Sequence, residues 1–257
     1  MARFYREYCD VEIVQSVTAQ ITWTHNIEIL RVESKEQRLW YINKTIENGW
    51  SVNVLAHQID TDLYARQIEQ KKVANFETKL PSPQSELALE TMKDPYVFDF
   101  IELKEDAKEK DLEDALINHL QKFLLELGRG FCFVARQKRI TFDNEHYFID
   151  LVFYNAILKC YVVIDLKTDK LSHEALGQID LYRNYYDQEV KRSDDNPTIG
   201  LLLVTEQDTL VAKYSSIYKD QNIFVSKYMT YMPTEEELKR VINEEKRLIE
   251  EYKISNK

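Results

Sequence analysis

Four apolar runs in the second half of the chain constrain its fold more than any other feature. Phe131–Ile140, Tyr147–Tyr154 and Leu158–Lys167 are rich in β-branched and aromatic residues, which suits a pleated, packed surface. Short polar turns part them, at Asp143-Asn144-Glu145 and at Asn155-Ala156. The short turns predict antiparallel neighbours. Ile199–Thr205 contains Gly200-Leu201-Leu202-Leu203-Val204 without a polar break, the mark of a strand buried on both faces. A sheet of this kind must be covered by helices.

The flanking segments supply them. Leu112, Leu116, Leu120 and Phe123/Leu124 recur at helical intervals until Gly128-Arg129-Gly130 ends the pattern, and Ser172 reads as the N-cap of a helix running to about Gln188. The resulting order, αβββαβ, predicts an α/β (α+β) core with a mixed sheet over residues 96–257. A terminal helix is expected after the capping box Thr234-Glu235-Glu236-Glu237, with Leu238, Val241, Ile242 and Leu248 on one stripe.

Residues 1–78 read as a small helical domain. Trp40, Ile42, Ile46 and Trp50 fall at helical spacing and Gly49 marks a stop. Ser51 then caps a helix carrying Val52, Leu55, Ile59 and Leu63. That layout is compatible with a helix-turn-helix and equally with a plain small bundle. Pro81, Pro83 and Pro95, set among small polar residues, mark 79–95 as a linker.

Composition excludes several classes. No run reaches the roughly 18 apolar residues of a membrane span, and no apolar segment follows the charged start. Cys9, Cys132 and Cys160 are scattered, so a zinc knuckle or disulfide framework is not expected, and a cytoplasmic setting is. His25, His57, His119, His146 and His173 have no metal-ligand spacing. The formal charge of −10 opposes diffuse binding to phosphate, though it leaves room for a local basic groove.

The chemistry lies where charge interrupts the apolar strands. Asp165 and Lys167 close the third run and share one face, while Asp150 interrupts the second. An unpaired buried carboxylate costs several kcal/mol, so each acid requires a cation, a donor or a metal. The hairpin brings Asp150 and Asp165 onto adjacent strands, although turns of two or four residues slide the pairing by two positions and leave its register open. Two carboxylates and a lysine on one face suit Mg²⁺ or Mn²⁺ and a phosphate ester. Asp-x-Lys alone is common, and its plain structural reading is a strand-end salt bridge.

The segments 148–154 and 162–167 resemble the YhcG (DUF1016) branch of the PD-(D/E)XK nucleases. So do Leu112–Leu116, Phe123–Gly128, Val134–Gln137 and Gly177–Tyr182, and, nearer the start, Thr22–His25, Gly49–Val52 and Gln58–Asp60. The resemblance implies a restriction-endonuclease-like fold preceded by an N-terminally shortened family domain. It implies catalytic roles for Asp150, Asp165, Lys167 and Gln178, and metal ligation by Glu113, Asp150 and Asp165. Arg136, Gln137 and Tyr182 are implied to line the substrate groove. The expected activity is metal-dependent hydrolysis of DNA, with possible pairing of copies by analogy. The alternatives are a DNA-binding or assembly module that no longer cuts, and a nuclease directed at RNA.

Overall fold

A computed structural model describes residues 18–69, 80, 82, 84–104, 106–142, 144–206 and 222–230. Contacts group the chain into two compact units that part between Glu69 and Gln70. Cys9 and the expected terminal helix after Thr234 lie outside the described residues. No helix among the described residues is long and apolar enough to cross a membrane.

The first unit is a helical cluster of α1 (Trp23–Ile29), α2 (Lys35–Asn48) and α3 (Val52–Asp60). Each begins on a hydroxyl cap: the side chains of Thr22, Ser34 and Ser51 accept from the backbone N–H groups of His25, Gln37 and Val54. Gly49 ends α2 at φ 62°, a left-handed value that a side chain would oppose. Ile29, Tyr41, Ile42, Leu55 and Leu63 form the unit's core. His25 serves packing, bonding to the Thr22 hydroxyl and the Trp50 carbonyl.

The second unit holds α4 (Gln84–Thr91), β1 (Tyr96–Val97), α5 (Glu109–Asn118), α6 (Leu120–Leu127), β2 (Phe131–Phe142), β3 (Glu145–Asn155), β4 (Cys160–Leu166), α7 (His173–Tyr185), β5 (Ile199–Val204) and β6 (Ile223–Met229). The strands form one sheet in the order β1-β6-β5-β4-β3-β2. β2, β3 and β4 are antiparallel, whereas β4, β5, β6 and β1 run parallel. The sheet is therefore mixed. All six residues of β5 are buried. Leu112, Leu116, Phe123 and Leu127 cover one face against Leu151, Phe153, Ile164 and Leu203. Leu176, Ile179 and Tyr182 of α7 cover the other against Val152, Val163, Leu202 and Val204. A Cβ on Gly200 would stand 2.9 Å from Ile179 Cγ1, so glycine at this position lets α7 lie close on the sheet.

Three features depart from the expected layout. The stripe read as one helix is two, because His119 leaves the helical region at ψ 32° while the apolar spacing continues past it. The sheet gains β1 and β6, too short or too isolated to have been read as strands. Residues 79–95 are not a bare linker: they hold α4, whose Ala88 joins Met92 in the core. Next to it Lys93 and Glu126 form a buried ion pair, and Glu126 Oε1 accepts from the Val97 N–H at 2.9 Å.

Candidate active site

Strand alternation breaks where chemistry was expected. Ile149 and Val152 face α7, yet Leu151 and Phe153 face α5 and α6. The three-residue step from Ile149 to Val152 means that the side-chain period of two slips once, at Asp150. On β2 the partners Arg136↔Leu151 and Lys138↔Ile149 flank the slip and leave Gln137 opposite Asp150. Gln137 has φ 45°, a strained value for a residue with a side chain. The β3–β4 pairing stops at Leu151↔Ile164. Asp150 Oδ2 then takes the Leu166 N–H at 2.8 Å, standing in for the next ladder partner. The carboxylate is thus lodged where two strands part.

Asp165 lies one residue beyond that last pair, between β3 and β5, with a relative exposure of 1%. Burial pushes its carboxyl up to about 7, opposed by the Lys167 ammonium and reinforced by Asp150. Lys167 Nζ stands 2.9 Å from Asp165 Oδ2. The contact is poorly directed for a hydrogen bond, so this buried oxygen is held chiefly by the neighbouring charge. The strand-end ion pair therefore exists, but it leaves Asp165 incompletely satisfied. For Lys167 burial alone would lower the ammonium; Asp165 and Glu109 outweigh it and hold the group above its ordinary value. Burial likewise raises Asp150, and the Leu166 N–H and Lys167 oppose the rise.

The remaining expected residues fall into two groups. Glu113, buried on α5, accepts from Arg136 Nε and from Gln137 Nε2, and the latter also donates to Asp150 Oδ1 at 3.1 Å. Arg136 further holds Asp114. Arg136 and Gln137 are therefore bound to the acids. On α7 Gln178 Nε2 donates to the Tyr182 hydroxyl at 2.7 Å, and that hydroxyl donates to the Phe148 carbonyl at 2.9 Å. The two-bond chain pins helix α7 to β3 two residues from Asp150. Glu109 was not anticipated. Its Oε2 is 3.5 Å from Lys167 Nζ, and it stands one turn before Glu113, a helical spacing that places both on the same side of α5.

Among the described residues no three Asp, Glu, His or Cys side chains converge as a ready metal cage. The residues nonetheless fit a hard divalent ion. Asp165 offers a buried oxygen held chiefly by the charge of Lys167, Asp150 adds a second half-buried carboxylate, and oxygen ligands are what Mg²⁺ and Mn²⁺ take.

Comparison with known proteins identifies the family. The model of the YhcG PDDEXK nuclease domain matches residues 89–243, and that of the DUF1016 N-terminal domain matches 1–66. The Escherichia coli (strain K12) protein named "Putative nuclease YhcG" is 34% identical over 236 residues, covering 90% of this chain and 63% of that protein. The chain thus spans less than two thirds of that relative. Among solved structures, a repair endonuclease from Pyrococcus abyssi aligns at 20% identity and TM-score 0.32, over 48% of this chain and 49% of its own. An EndoMS–dsDNA complex aligns at 14% and 0.33, over 52% and 48%. With both domain models matched in order along its length, the chain belongs to the YhcG family and carries that family's PD-(D/E)XK nuclease domain on a restriction-endonuclease-like fold.

Proposed function

We propose that this protein hydrolyses phosphodiester bonds in DNA with the help of Mg²⁺ or Mn²⁺. The observation that carries the reading is Asp165: a carboxylate buried to 1% exposure, its Oδ2 held chiefly by the charge of Lys167, with Asp150 close by. A fold does not bury such a group without a use for it, since the cost is several kcal/mol. Asp165 and Asp150 would hold the ion, with Glu113 as the accessory carboxylate. When bound, the ion polarises the scissile phosphate and acidifies a water.

The other roles follow from protonation and tethering. Lys167 is held above its ordinary value, so it acts as a cation and hydrogen-bond donor to a phosphate oxygen, and not as the base that takes a proton from water. Gln178 is oriented by Tyr182, which is itself tied to the Phe148 carbonyl, so the amide is held at the rim of the site. Arg136 and Gln137 position Glu113 and Asp150.

The test is incubation of the full chain with supercoiled, linear and single-stranded DNA and with RNA, in Mg²⁺ and in Mn²⁺, beside Asp165→Ala and Lys167→Ala. Metal-dependent cutting of DNA by the wild type alone is expected. Equal cutting by the variants, or DNA binding without any cutting, defeats the proposal. Preference for RNA corrects its substrate.

A further inference from the structure

Phe148 is 47% exposed, an unusual place for a phenylalanine two residues from a catalytic acid. Its neighbour Ile149 packs toward α7, and so does Ile140 on β2. Side chains alternate along a strand, so Phe148 and its cross-strand partner Arg139 both stand on the opposite face, the one that α5 covers and on which Glu113 lies. Across an antiparallel ladder such partners hold their Cβ atoms about 5 Å apart. An exposed ring and an exposed guanidinium are thus set side by side next to the acid cluster.

The backbone beneath the ring is fixed. The Phe148 carbonyl accepts from Tyr182, whose hydroxyl also receives Gln178 Nε2, so the ring rides on a strand segment tied to α7. The charge around it is also distinctive. In a chain of net charge −10, residues 127–142 contain Arg129, Arg136, Lys138 and Arg139 and no acidic residue. Arg136 is taken up by Glu113 and Asp114, which leaves the exposed Arg139 beside the ring. A flat apolar surface beside a guanidinium, at about 6–7 Å along the strand from a phosphate-cleaving acid, has the composition of a base-stacking platform.

We infer that Phe148 stacks on an unpaired nucleobase adjoining the scissile phosphate, with Arg139 holding the neighbouring backbone. The substrate class is then nucleic acid with at least one unstacked base at the cut, rather than uninterrupted duplex. This rests on the phosphodiesterase reading above. A base within an intact duplex already stacks on both sides and offers no face to the ring, whereas an unpaired one gains a partner.

The experiment measures binding by the full chain in EDTA, where nothing is cut. The probes are a paired DNA duplex, the same duplex with one unpaired 2-aminopurine, and a single strand carrying 2-aminopurine. Wild type and Phe148→Tyr are expected to quench the 2-aminopurine and to bind the two unpaired probes about tenfold tighter than the paired duplex. Phe148→Leu keeps the bulk but not the flat ring, and it should lose both the quench and the preference while binding paired duplex unchanged. Arg139→Ala should weaken all three probes and flatten the salt dependence. A quench and preference that survive in Phe148→Leu, or equal wild-type affinity for all probes, overturns the inference. Adding Mg²⁺ separates the two readings: cutting without a Phe148-dependent preference defeats only the platform, and a preference without cutting defeats only the nuclease.

Discussion

Asp165→Asn should make the metal-free second unit more stable relative to wild type as pH rises. The carboxyl is raised from its ordinary 3.8 to about 7 in the folded protein, mainly by burial. Below 3.8 it is protonated whether the chain is folded or not, and it costs nothing. Between 3.8 and about 7 the unfolded chain has released the proton while the folded protein retains it. In that window the folded state binds more protons, so its stability falls with rising pH, by about 1.4 kcal/mol per unit. Asparagine does not titrate. From pH 5 to pH 8 the variant should therefore gain about 3 kcal/mol on the wild type. Any fixed cost from the new amide shifts both ends equally. All three tryptophans (Trp23, Trp40 and Trp50) sit in the first unit, so tryptophan fluorescence is blind to this change. Hydrogen exchange at β4 and β5 amides in EDTA reads it directly. Excess Mg²⁺ should restore the wild type at pH 8, by about 2.7 kcal/mol at a hundred times its dissociation constant, and leave the variant unmoved. Parallel pH curves for the two proteins would refute the claim that Asp165 is a strained, cation-seeking carboxylate.

Three further outcomes are expected. Lys167→Met should lower cleavage by about a hundredfold or more and move the acidic limb of the pH–rate profile upward, since that limb belongs to Asp165, which loses the ammonium that holds it down; loss of the limb altogether in single-turnover assays would return the role of base to Lys167. Gln137→Ala removes the amide that lies between Glu113 and Asp150, and should cost about 1–2 kcal/mol in EDTA but less in Mn²⁺, as read by hydrogen exchange of β3; an equal loss in both media would make Gln137 a merely structural residue. Lys93→Met strands the buried Glu126 carboxylate and should cost the second unit about 3–5 kcal/mol in urea titrations followed by circular dichroism, an effect that Lys93→Met with Glu126→Gln should relieve in part.

The central strands were legible because burial on both faces leaves no choice of residue. A run such as Leu201–Val204 is a strand between two layers or nothing, and β4 reads the same way up to Asp165. Caps were legible for a similar reason: Ser51 and Ser172 satisfy N–H groups that only a short hydroxyl can reach. Elements whose stability comes from tertiary contact were not. Helix α4 is short and follows a proline-rich stretch, and it exists because Ala88 and Met92 find a core to enter. Strand β1 has two residues and is held by its pairing with β6 and by the Glu126 carboxylate on the Val97 N–H. Glu109 could have been found by extending the spacing from Glu113 back one turn.

The slip at Asp150 explains why residue spacing singled out Asp150 and Asp165 while leaving their geometry open. A strict period of two would turn Asp150 toward one packed layer, where it would meet either the apolar side of α5 or that of α7. A left-handed Gln137 on β2 displaces the count on both strands at once, so Asp150 points into neither layer but along the gap that β3 and β4 leave as they part. There it can take the Leu166 N–H and approach Asp165 without entering a core. Nothing in the identity of Gln137 announces a positive φ; asparagine or glycine would have. Without that displacement Phe148 would share the face of Val152; with it the ring shares the face of Leu151 and stands exposed at the rim. One strained residue thus accounts for both the lodging of the acid and the ring beside it. A Gln137→Gly variant, which relaxes the backbone while preserving the register, should keep Phe148 exposed, as judged by its accessibility to hydroxyl-radical labelling; burial of the ring would show that the slip is held by the glutamine amide instead of by the backbone turn.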